Sequence, residues 1–135
     1  MRKLGLVLGL LLWSGLAQAQ QNCRVPADFP GTPVVSAATE GSHILKATAG
    51  CLISAYVVTG ATAGYLMILN SATVPGDGAV APLECVPVAA NSYQYINFAP
   101  QPPEWYSAGI VAVFSSTGCL TKTISATAWF HGLVQ

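Results

Sequence analysis

Charge is scarce in this sequence. Five Lys or Arg and five Asp or Glu stand among 135 residues, 7% of the chain. Arg2 and Lys3 lie at the very start, so residues 20–135 carry only Arg24, Lys46 and Lys122 against Asp28, Glu40, Asp77, Glu84 and Glu104. Three scattered cations do not neutralise a run of phosphates, so no nucleic-acid partner is expected. No basic amphipathic stretch points to a membrane surface either. A β-rich surface with so few charges also lacks the usual protection of strand edges. It is best tolerated when buried, so self-association or membership of a larger protein assembly is expected.

Catalytic signatures are missing as well. No GxSxG elbow, P-loop, GxGxxG or HExxH occurs. The two histidines, His43 after Gly41 and Ser42, and His131 near the C-terminus, have no nucleophile or carboxylate partner that the sequence identifies. Asp77 between Gly76 and Gly78 is accounted for by turn geometry. The dispersed carboxylates give no sign of a glycosidase pair, which sits about 5–9 Å apart. No two cysteines form a CxxC, which excludes a zinc knuckle. The chain is therefore expected not to be an enzyme and to hold neither cofactor nor metal.

What is present begins with a leader. Arg2 and Lys3 precede an apolar run over residues 4–16, and Ala17-Gln18-Ala19 follows. Cations, a short apolar core and a small-x-small site make a secretory signal peptide over residues 1–19. The run is shorter than the roughly 20 residues of a membrane-spanning helix. A periplasmic or secreted location follows, with no membrane attachment after cleavage. Cys23, Cys51, Cys85 and Cys119 all lie beyond the cleavage site. Four cysteines in an exported chain read as two disulfides, and three connectivities are possible. Nearest-neighbour pairing, Cys23–Cys51 and Cys85–Cys119, is favoured because it staples the loose N-terminal segment to the first long strand. Each such bridge closes a loop of about 30 residues, worth roughly 3 kcal/mol in the chain-entropy account.

Residues 20–42 carry Pro26, Pro30 and Pro33 and read as an extended, surface-tracking segment. From His43 onward, short apolar runs alternate with turn residues. Strands are expected over residues 44–48, 51–59, 65–70, 83–88, 93–98, 110–114 and 124–134. Ile53, Ala55 and Val57 are assigned one face of the second, and Ile96 and Phe98 point inward from the fifth. In the last strand Ile124, Ala126, Ala128 and Phe130 share one face, with Ser125, Thr127, Trp129 and His131 on the other. Residues 65–70 are apolar on both faces and read as a central strand, whereas Pro87 places 83–88 at an edge or a bulge. The pattern is that of an all-β, antiparallel β-sandwich of jelly-roll-like form with seven or eight strands over residues 43–135. Trp105 and Tyr106, with Trp129, are the candidate binding residues, since exposed aromatics stack on sugars or anchor partners. The competing role for Trp105 or Tyr106 is a plug for one end of the sandwich, under the loop with Pro100, Pro102 and Pro103.

Four stretches together resemble a family. Residues 44–52 (ILKATAGCL), 65–75 (YLMILNSATVP), 107–115 (SAGIVAVFS) and 121–128 (TKTISATA) are similar to the corresponding blocks of small β-sandwich accessory or decoration-type proteins of phage and prophage structural regions. The match spans residues 43–135 and consists of strands and turns. It implies a non-enzymatic structural role of virion-accessory type. The alternative is a periplasmic or extracellular binding module, fimbrial-like or for carbohydrate or protein.

Overall fold

The computed structural model describes Cys23, residues 31–124 and residues 128–135. The leader, and with it the expected cleavage site, lies outside the described residues, as do Ser125, Ala126 and Thr127. The described residues contain no helix. The strands are β1 (Thr32–Val35), β2 (Ser42–Lys46), β3 (Gly50–Thr59), β4 (Gly64–Asn70), β5 (Gly78–Ala79), β6 (Glu84–Val88), β7 (Tyr93–Asn97), β8 (Glu104–Tyr106), β9 (Ile110–Ser115), β10 (Thr121–Lys122) and β11 (Ala128–Val134).

They form an antiparallel β-sandwich. One sheet runs β1-β11-β3-β7, with β8 also pairing β3. The facing sheet runs β2-β9-β4-β6, and β5 with β10 makes a separate two-stranded ribbon. The core lies between the sheets, where Leu52, Ala55, Val57, Ile96, Ala128 and Phe130 of the first meet Leu45, Leu66, Ile68, Ile110 and Phe114 of the second. At one point the layers approach very closely. A Cβ on Gly132 of β11 would stand 2.6 Å from Leu45 Cδ1, so the leucine of the opposite sheet would have to shift to admit a side chain there.

A second, smaller apolar layer explains the strands that are apolar on both faces. Met67 and Leu69 of β4 and Val111 and Val113 of β9 point away from the main core and are buried under Tyr65, Val80 and Cys85. β4 and β9 are thus interior strands with both faces covered. β6 is an edge strand, where a backbone can spare the donor that Pro87 lacks.

Seven of the strands match the seven expected apolar runs. The additional ones are two or three residues long, apart from β1, which lies inside the segment read as surface-tracking. β1 pairs with β11 from Thr32 opposite Val134 to Val35 opposite His131. Ser36 continues the contact: its amide donates to Phe130 O, and its buried Oγ accepts the Phe130 amide, both at 2.9 Å. The sandwich therefore starts before residue 43. Two face assignments also change. Opposite β11, Ser54 pairs Leu133 but Leu52 pairs Val134, so Ile53 is the extra residue of a bulge. The bulge reverses the alternation, and Leu52 rather than Ile53 joins Ala55 and Val57 in the core. Ile124 is 61% exposed instead of sharing the inner face with Ala128 and Phe130, because it bridges Ser115 outside β11.

The disulfides are Cys23–Cys51 and Cys85–Cys119. The first ties the N-terminal segment to β3, and the second ties the edge strand β6 to the turn before β10. Two such bridges fit an oxidising, extracellular or periplasmic setting.

Candidate functional site

Among the described residues, the outer face of the β1-β11-β3-β7 sheet carries the two most exposed aromatics, Tyr93 and Tyr95. Residues opposite one another in antiparallel strands share a face. One row crosses the sheet as Val35, His131, Tyr56 and Tyr95, and the next as Trp129, Val58 and Tyr93. The rings touch. Tyr56 stacks on His131 with centroids 5.0 Å apart and planes at 25°. Trp129 lies 5.6 Å and Tyr95 6.3 Å from Tyr56. Trp129 is oriented by its Nε1–H, which donates to Ser36 O at 2.8 Å. Tyr93, 72% exposed, stands at the edge of the platform, and Tyr95, Val58 and Val35 are exposed beside it. Neither row contains a charged residue.

The three candidate aromatics of the sequence reading do not come together. Tyr106 is fully buried in the main core, where it fills the role of plug. Trp105, opposite Cys51 on β8, is partly exposed. Trp129 alone belongs to the aromatic platform. Tyr56, Tyr93, Tyr95 and His131 went unassigned to a site because they sit on β3, β7 and β11, far apart in sequence. The available signal was the alternation Tyr93-x-Tyr95 beside Trp129-x-His131, each pair facing one way.

His43 has a partner after all. Its Nδ1 lies 2.7 Å from Glu40 Oε1, across the start of β2. Asp77 does more than shape its turn: Oδ2 accepts the Ile124 amide at 3.2 Å, and Oδ1 lies 3.6 Å from Lys122 Nζ. Among the described residues no three His, Cys, Asp or Glu side chains converge as metal ligands.

A carboxylate pair does form, contrary to the expectation of dispersed carboxylates. Glu104 of β8 interacts with Glu84 of β6, so the pair bridges the two sheets, and Tyr106 Oη donates to Glu104 Oε2 at 3.2 Å. Burial pushes the Glu104 carboxyl above the usual range; the Tyr106 bond opposes this, and the Glu84 charge adds to it. Burial, with the Glu104 carboxylate beside it, also pushes the Tyr106 phenol well up, so it stays protonated as a donor. A carboxyl whose folded pKa is raised stabilises the fold below its unfolded value and loses that contribution as pH rises through the folded value. Stability is therefore expected to decline slightly between mildly acidic and neutral pH. Glu104→Gln is expected to flatten that decline, as read from urea midpoints across the range. The effect stays below about 1 kcal/mol, because the side chain is partly solvated. A midpoint profile unchanged by the substitution would remove the pair from the account.

No protein-family model matches the chain, and neither a curated protein nor a solved structure matches it.

Proposed function

We propose that the chain is an exported, non-catalytic structural protein of virion-accessory type that assembles by packing the aromatic face of its β1-β11-β3-β7 sheet against the same face of a second copy. The observation that carries this reading is the charge-free row Val35, His131, Tyr56 and Tyr95 on an open sheet face. Contiguous exposed apolar surface of this kind marks an interaction site on soluble proteins. Its neutrality suits a second copy in particular. A two-fold contact sets the patch against itself, so a patch carrying one sign of charge repels its copy and a neutral one does not. The resemblance to accessory proteins of phage and prophage structural regions supports the same reading.

Such a contact responds little to salt, since screening acts on charges and the face has none. Light scattering on the mature, oxidised protein is expected to show an oligomer at both low and high salt. Tyr95→Lys sets a cation in that neutral contact, where it would lose its water without a counter-charge, and is expected to release monomers with the fold intact. A monodisperse wild-type monomer at tens of micromolar, in both salts, would reject self-assembly and favour the binding-module alternative.

A further inference from the structure

β6 and β7 are the free edges of the two sheets on one side of the sandwich, and a cleft of about 660 Å³ opens at the end of these edges. Tyr65, Pro87, Ser92, Tyr93, Gln94 and Ser116 are among its lining residues, and no lining residue is charged. The size falls within the range of small-molecule sites.

One wall of the cleft is held firmly. It is the turn between β6 and β7, and Thr59 fastens it from beneath. The buried Thr59 hydroxyl contacts Ala89 O at 2.7 Å, Ser92 O at 3.1 Å and the Ser92 amide at 3.2 Å. The Thr59 amide adds a 2.8 Å bond to Ser92 O, and the Asn91 amide one of 2.6 Å to Gly60 O. A wall fixed in this way does not have to be ordered by the ligand.

The lining chemistry selects a ligand class. An ion would lose its water and find no counter-charge. A purely apolar ligand would leave the Gln94 amide and the serine hydroxyls without partners. What fits both is a neutral molecule with hydroxyls around its rim and an apolar C–H face. We infer that the cleft binds a neutral saccharide, its hydroxyls bonded to Gln94 and Ser92. Gln94 is suited to this: among the described residues its side chain makes one hydrogen bond, a long one of 3.5 Å to Tyr95 O. The inference does not depend on the assembly reading, since Gln94 and Ser92 lie outside the platform rows.

The test is amide NMR titration of the mature protein with four neutral hexasaccharides, of glucose, mannose, xylose and N-acetylglucosamine, and with an anionic oligogalacturonate. At least one neutral sugar is expected to give saturating shifts confined to residues 63–65, 87–94 and 116. Gln94→Ala is expected to weaken that binding at least about fivefold, one hydrogen bond's worth. Folding of the variant is checked in the same spectra. Tyr95→Lys, which breaks the assembly face, leaves saccharide binding unchanged. The inference is overturned when none of the four neutral sugars shifts these amides, when oligogalacturonate binds more tightly than all of them, or when Gln94→Ala binds as the wild type does.

Discussion

Replacing Cys85 and Cys119 together with serine is expected to lower the unfolding free energy by roughly 3–4 kcal/mol. The bridge joins residues 34 apart, and closing that loop removes a large share of the unfolded chain's freedom. It also has a role in the folded state. Cys85 packs over Met67, Leu69, Val111 and Val113, and through Cys119 it holds the turn that leads into β10 against the edge strand β6. Domains of this size retain only about 5–15 kcal/mol of net stability, so the loss is a substantial part of the total. Urea unfolding at a fixed pH measures it. A double-serine variant with the wild-type midpoint would mean that this bridge does not limit the unfolded ensemble.

Lys122→Ala is expected to cost about 2–4 kcal/mol, from an unsatisfied acceptor together with lost packing. Lys122 is only 2% exposed, on a two-residue strand. Its Nζ donates to Pro75 O at 2.6 Å and lies 3.6 Å from Asp77, so one ammonium pins the turn over residues 75–78 to the β5-β10 ribbon. Asp77 is half exposed and finds water when the lysine is removed, which keeps the loss below that of a fully buried ion pair. Lys122→Met separates the contributions. It keeps an unbranched apolar stem in the same space and is expected to retain roughly half of the lost stability. Equal destabilisation by Met and Ala would assign the whole effect to the ammonium.

Much of this architecture can be read from local patterning. The runs at residues 65–70 and 110–114 lack polar positions because both faces of β4 and β9 are covered, and that is visible residue by residue. Pro87 marks an edge for the same local reason, and the favoured disulfide pairing is the one present. What escapes local reading depends on partners distant in the chain. The bulge at Ile53 is set by the register with β11, some 80 residues away in sequence. β1 is stabilised by β11 and by the Ser36–Phe130 bonds, so a proline-bearing stretch becomes a strand. Lys122 reads as a surface cation until the turn at residues 75–78 is folded over it. The aromatic platform escaped for a related reason: its residues come from three strands, and only their pairing places Tyr56 between His131 and Tyr95.

The position of β11 has a consequence for how the chain is made. It is the last strand in sequence order, yet it sits inside its sheet, between β1 and β3. While synthesis proceeds, β1 has no neighbour to pair with and β3 has one side bare, and Leu45 has no Gly132 to seat on. Pairings this distant in sequence form slowly in any case. Until the final strand emerges, therefore, this sheet is not completed. For a chain exported as proposed, that delay leaves the sandwich unclosed while the polypeptide passes through a narrow channel. Closure by β11 and locking by the disulfides follow on the far side.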